Sequence, residues 1–233
     1  MLEIILWIIL SMSLCTALVI VFRKEGGWIV FSVVSGLGVL ANVLASAKVL
    51  AFPFGMSVPA GIIAYTLTFF LIDYLAEKKG PALARKAVYG SLAAQAVAVF
   101  IIYITLQWPA ASFMSKQQVD SFSASFNLSP RLFLAGFIAF SIASLLNIAV
   151  FVLVREKTGP KMLWLRSKAS AITAIITANL IFIPLGYYGT GFPLLSMMCS
   201  HAIVQVAVAI IDTVFLYLLV NYGGLTDDKA RMA

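Results

Sequence analysis

The sequence predicts an all-α, polytopic integral membrane protein, a helical bundle with seven spans, and three observations lead there. Charged residues make up 11% of the 233-residue chain and hydrophobic ones 62%, against the roughly 25% charged of a soluble domain. Mean hydropathy is +1.04, so a surface this poor in charge cannot face water all round. The apolar runs approach or exceed the roughly 20 residues a helix needs to cross a bilayer. The connections alternate sharply in basic content, as the positive-inside rule leads one to expect. Strands of a membrane barrel would alternate in polarity over about ten residues, and no such pattern occurs.

The first span covers residues 2–22. Glu3 stands where a signal peptide would carry a basic n-region, the basic flank RKE follows the apolar run, and no A-x-A-like site ends it, so it reads as a retained helix. The second, 28–50, carries Gly36, Gly38, Ala41, Asn42 and Ala45, with Lys48 near its end. The third, 57–76, holds Thr66 and Thr68 near its middle, and Asp73 and Glu77 at its end. The fourth spans 88–109. Residues 110–130, rich in Ser and Gln, read as a loop too short for a core of its own. The fifth span, 131–154, opens with Arg131 and contains Asn147. The sixth, 169–185, contains Asn179, and Pro184 and Gly186 let it bend where it ends. The seventh, 193–221, contributes His201, Gln205 and Asp212, and is long enough to tilt or project. The four tryptophans, Trp7, Trp28, Trp108 and Trp164, mostly lie near span ends, as interfacial anchors do. No fixed-period repeat is visible.

The net charge of +7 points to topology rather than to nucleic acid. Arg23 and Lys24, then Lys78, Lys79, Arg85 and Lys86, then Arg155, Lys157, Lys161, Arg166 and Lys168, and finally Lys229 and Arg231 fall on one side. The other side has Lys116 and Arg131, with Lys48 inside its helix end. The N-terminus is therefore expected outside and the C-terminus in the cytoplasm of a multi-pass plasma (inner) membrane protein. Cys15 and Cys199 both lie in apolar runs. They make neither a disulfide framework nor a zinc site.

Polar side chains within spans cost free energy and are the default functional candidates. Asn42 is either an interhelical hydrogen bonder or a substrate ligand, and Lys48 either snorkels to the interface or takes part in a gate. Thr66 and Thr68 can return their hydroxyl bonds to their own helix. Asn147 and Asn179 lie in the central third of their spans, and an amide offers two donors and an acceptor, which suits the edge of a nucleobase or vitamin ring. His201, alone in the chain, cannot supply bis-imidazole haem ligation or a histidine-rich metal site. Arg131 and Arg166 open their spans, where basic residues mark topology or serve a gate. No Walker loop, serine elbow, HExxH or CxxC occurs, so no enzyme chemistry is expected.

The stretch FFLIDYLAEKKGPALARK, residues 69–86, places Asp73 and Glu77 one turn apart on one helix face. Acids at a helix C-terminus oppose the macrodipole and call for a compensating cation. Gly80 and Pro81 turn the chain, so Arg85 and Lys86 are expected to return towards the carboxylates as a cytoplasmic latch or a static brace. Asp73, Glu77 and Asp212 are the candidate carboxylates for proton coupling.

The segment PAGIIAYTLTFFLIDYLAEKKGPALARK, residues 59–86, resembles the queuosine-precursor transporters, a vitamin-uptake-transporter-like family. Pro59, Ala60, Gly61, Thr68, Asp73, Glu77, Gly80, Ala84, Arg85 and Lys86 carry the likeness. ANVLASAKVL (41–50), SPR (129–131), Asn147 and LWLRSKAS (163–170) add to it. The sixth span departs from the family pattern, with Ile175 at a glutamine position and Ala178 at an aspartate position. In the last span, Gln205 stands where a lysine is often found.

The resemblance covers 28–222 and implies a six-helix transporter core, preceded by an extra N-terminal helix (1–27) and followed by a short tail (223–233). It also implies uptake of a purine-like base, a deazaguanine-type queuosine precursor, by alternating access. The base would stack on an aromatic ring near the midplane and be read by Asn42, Thr68, Asn147, Asn179 and Gln205, with His201 beside them. Two other readings stay open: a substrate-binding subunit that needs a separate energising module, and a membrane adaptor without a small ligand. The lipid bilayer and a small heterocyclic solute are the expected partners, a homo-oligomer is open, and neither nucleic acid nor a cofactor is expected.

Overall fold

A computed structural model describes residues 2–25, 27–126 and 129–225. The chain forms α1 (Leu2–Val21), α2 (Gly27–Ala47), a two-stranded hairpin of β1 (Val49–Ala51) and β2 (Ser57–Pro59), then α3 (Ile62–Lys78) and α4 (Pro81–Gln107). After these come α5 (Lys116–Phe126), α6 (Ser129–Thr158), α7 (Leu163–Tyr187) and α8 (Leu194–Tyr222). Among the described residues, α2, α4, α6, α7 and α8 are long and apolar enough to cross a membrane, and α1 is a shorter apolar helix. The architecture is an all-α membrane bundle. The tail residues Lys229 and Arg231 lie outside the described residues.

Helix α3 organises the rest. Most of its side chains are buried, Phe70 to Leu75 without a break, as expected of a helix apolar all round. Its 17 residues rise about 25 Å at about 1.5 Å each. α1 packs on the α3–α8 side through Ile8, Met12, Cys15 and Val19, spaced at one face of a helix. Cys15 is buried and Cys199 exposed, both as free thiols.

Three expected elements differ. The second and third spans do not run to 50 and from 57: α2 stops at Ala47, and antiparallel strands pair Val49 with Pro59 and Ala51 with Ser57 before α3 begins at Ile62. Pro53, Gly55, Pro59 and Gly61 crowd this stretch. Proline lacks the amide that a helix interior needs, so the chain turns in a hairpin instead. The expected loop 110–130 contains α5. Its start is a capping box: Gln118 N–H donates to Ser115 Oγ at 3.3 Å, and Ser115 N–H donates to Gln118 Oε1 at 2.9 Å.

The two ends of the bundle differ in charge. One, called here the basic end, gathers the α1–α2, α3–α4 and α6–α7 connections. The hairpin, α5 and the α7–α8 turn occupy the other.

Candidate functional site

Helices α2, α3, α6, α7 and α8, with β2, line a small cavity of about 30 Å³ in the half of the bundle nearer the hairpin. Small residues make it: Ala41 and Ala45 of α2, Gly61, Gly136 and Ala139 of α6, and Ala178 of α7. Small side chains let membrane helices approach closely, and here two glycines are required. A Cβ on Gly61 would stand 2.0 Å from the backbone oxygen of Ala41, and one on Gly136 would stand 1.9 Å from Asn42 Oδ1. The aromatic walls are Tyr65 and Phe182. Phe69 meets the Tyr65 ring edge-to-face at 5.0 Å and Phe140 at 5.9 Å, while Phe182 packs edge-on against Tyr187 at 5.9 Å. These contacts fix ring planes before any ligand arrives.

Besides Tyr65, whose hydroxyl is buried without a partner, two polar side chains line the cavity, each at the end of a buried relay. In the first, Ser91 Oγ donates to the backbone oxygen of Val34 at 3.3 Å, Gln95 Nε2 donates to Ser91 Oγ at 3.2 Å, and Asn42 Nδ2 donates to Gln95 Oε1 at 2.7 Å. In the second, Asn179 Nδ2 donates to the backbone oxygen of Ile175 at 2.9 Å and to Gln205 Oε1 at 3.1 Å. Asn179 Oδ1 then faces His201 Nδ1 at 2.6 Å. Gln205 Nε2 is buried and unpartnered.

A second polar cluster lies towards the basic end. Asp73, 1% exposed, accepts from Asn147 Nδ2 at 2.7 Å and from Ser167 Oγ at 2.8 Å. Asn147 Oδ1 and the neighbouring Ser144 Oγ are buried without partners. One turn on, Arg166 forks onto Glu77, Nη2 to Oε1 at 2.6 Å and Nε to Oε2 at 3.0 Å, and its Nη1 holds the backbone oxygens of Gly159 and Lys161. Arg155 Nη1 caps α3 through the backbone oxygens of Ala76 and Glu77 at 3.3 and 3.2 Å, supplying the positive charge a helix C-terminus favours. Lys168 pairs with Asp212 and with the backbone oxygen of Ala209. These contacts tie α3, α6, α7 and α8 together.

The residues singled out from sequence therefore separate. Asn42 and His201 line the cavity; Asn179 and Gln205 stand behind His201. Asn147 belongs to the Asp73 cluster. Thr66 and Thr68 return their hydroxyls to Ile62 and Tyr65 of their own helix. Lys48 and Arg131 are exposed, and Arg131 Nε donates to the backbone oxygen of Leu185 at 2.7 Å.

The expected return of Arg85 and Lys86 is corrected. Gly80 (φ 85°) turns the chain into α4, both residues lie exposed on its first turns, and Arg85 Nε bonds Pro81 O of its own helix. The cations on Glu77 come instead from α6 and α7, which pack against α3. Sequence reasoning passed over Gln95, although the rule that flagged Asn42 applies to it equally. It also missed Tyr65, Phe182 and Ser167, whose roles depend on which helices meet.

A family described as "Putative vitamin uptake transporter" matches residues 59–219. The chain belongs to this vitamin uptake transporter family. In this member the matched region begins at the end of β2 and runs almost to the end of α8. The Glu77 and Asp212 ion pairs fall within it, while Asn42, which lines the cavity, precedes its start and Gln95, behind Asn42, follows it. The chain is also 28% identical over 169 residues to the "Probable queuosine precursor transporter" of Bacillus subtilis (strain 168), covering 70% of this chain and 72% of that one. No solved structure matches.

Proposed function

We propose that this vitamin uptake transporter family member imports a small purine-like heterocycle, most specifically a deazaguanine-type queuosine precursor, across the plasma membrane by alternating access. The observation that carries the reading is the chemistry of the cavity between Tyr65 and Phe182, aromatic on its walls and lined by the polar side chains of Asn42 and His201. Its place in the bundle fits one transport state. The cavity lies towards the hairpin end, while Glu77, Arg166, Arg155, Lys168 and Asp212 lock the basic end. The basic end faces the cytoplasm in this reading, with the N-terminus outside, by the distribution of lysine and arginine. Opening inward then means breaking those pairs, and Asp73, beside them with no contacting cation among the described residues, is the group placed to take up a proton as they rearrange.

The name of the Bacillus subtilis relative supports the substrate, and the aromatic walls suit a planar ring. Uptake of radiolabelled 7-deazaguanine bases into cells lacking their own importer tests the proposal. Accumulation above the empty-vector control is expected. The absence of uptake across deazaguanines, purines and vitamins would reject it. Uptake by the purified chain alone in liposomes separates a self-sufficient transporter from a subunit that needs an energising partner.

A further inference from the structure

We propose that the cavity presents a pair of hydrogen-bond acceptors, Asn42 Oδ1 and His201 Nε2, and so selects a ring whose edge carries two N–H donors. The inference rests on the transport reading above for its ligand, but its core is a matter of donor and acceptor counting.

Each relay starts at a backbone oxygen, which can only accept. Ser91 has one hydroxyl hydrogen, and Val34 O takes it. Ser91 Oγ must therefore accept from Gln95, so the Gln95 amide nitrogen faces Ser91 and its oxygen faces Asn42. Asn42 answers with its nitrogen, which also reaches Gly38 O at 3.4 Å. Asn42 Oδ1 is left for the cavity, where it lies against Gly136. Gly38 serves the same relay, because a Cβ there would stand 2.3 Å from Ser91 Oγ and 2.8 Å from Gln95 Nε2.

The second relay works the same way. Ile175 O and Gln205 Oε1 take both hydrogens of the Asn179 nitrogen, so Asn179 can offer only its oxygen to His201. Nδ1 must then carry a proton to donate. Among the described residues no carboxylate lies against the ring to stabilise a second proton. His201 is accordingly the neutral Nδ1–H tautomer, and its bare Nε2 opens onto the cavity. Asn42 and His201 both line the cavity, so these are the two acceptors the relays leave to it. A 2-aminolactam edge supplies a ring N–H and an exocyclic amine side by side and satisfies both acceptors. A ring lacking the amine leaves one of them unpaired, which costs about tenfold or more in affinity.

The chain holds a single histidine, so nitrogen-15 histidine labelling gives one unambiguous imidazole. NMR of the full chain in nanodiscs is expected to show Nδ1 protonated and Nε2 bare, without any ligand. Binding of 7-deazaguanine is expected to exceed that of 7-deazahypoxanthine and 7-deazaadenine by about tenfold or more. Asn42→Leu should erase that preference by removing an acceptor. Asn179→Leu should erase it while leaving the histidine in place, with the imidazole signal showing mixed tautomers, because Asn179 is a positioning residue. A protonated Nε2 in the wild type, or equal affinity for the three rings, would overturn the acceptor pair. Uptake of some other heterocycle with no binding of these rings would overturn it and leave transport standing. Uptake of no heterocycle at all would remove both.

Discussion

Replacing Arg166 with methionine is the sharpest test of how the basic end is held. The Arg166 side chain is 1% exposed and that of Glu77 13%, and the guanidinium meets both carboxylate oxygens at 2.6 and 3.0 Å. Removing one partner of a buried pair costs about 3–5 kcal/mol, because the remaining charge stays desolvated. Arg155 Nε, 3.9 Å from Glu77, persists and offsets part of this, which places the expected loss at the lower end, about 3 kcal/mol. At about 2–4 °C per kcal/mol for a chain of this size, the melting temperature should fall by about 6–12 °C. The assay is thermal unfolding in nanodiscs followed by tryptophan fluorescence. Arg85→Met is the control, expected within about 0.5 kcal/mol of wild type because the residue is exposed. Combining Arg166→Met with Glu77→Leu should recover more than half of the loss, since replacing both partners by apolar groups is often close to neutral. An Arg166→Met variant as stable as Arg85→Met, or a double variant no better than the single, would refute the reasoning.

Other consequences are open to direct measurement. Lys168→Met strands Asp212, whose side chain is 5% exposed, and should cost about 3 kcal/mol in detergent unfolding, with most of it restored by Asp212→Asn in the same chain. Gly61→Ala forces a methyl to 2.0 Å from Ala41 O and should abolish monodisperse protein on size exclusion. Gly36→Ala, with nothing within 4 Å of the new methyl, should instead stabilise α2 by about 0.5–1 kcal/mol. Asp73→Asn keeps the shape of the side chain and an acceptor for Ser167, so substrate exchange should persist while accumulation driven by a pH gradient is lost; retained accumulation would exclude Asp73 as the proton site. With Cys199 replaced by serine, because its own thiol is exposed, a cysteine at Ser115 should react with a membrane-impermeant maleimide on intact cells, and one at Lys157 only after permeabilisation. The reverse pattern would invert the proposed orientation.

Much of the fold could be read from the chain because one physical quantity, the cost of an apolar surface in water, dominates its composition. Long uncharged runs fix where helices cross, and the lysines and arginines between them set an orientation that can be tested. The hairpin was also written in the sequence, in the crowding of Pro53, Gly55, Pro59 and Gly61, and α5 in its Ser115–Gln118 box. Both are short-range signals that continuous hydropathy conceals. The site was different. A polar residue in a span announces that it needs a partner, but hydropathy does not say which. Asn147 and Asn179 look equivalent along the chain, yet one holds Asp73 towards the basic end and the other orients His201 at the cavity. Glu77 advertised a missing cation, and nearness in sequence suggested Arg85, whereas α7 delivers Arg166 from 89 positions away. Pairing, tautomer and the direction of each amide depend on which helix faces meet, and only the packed bundle decides that.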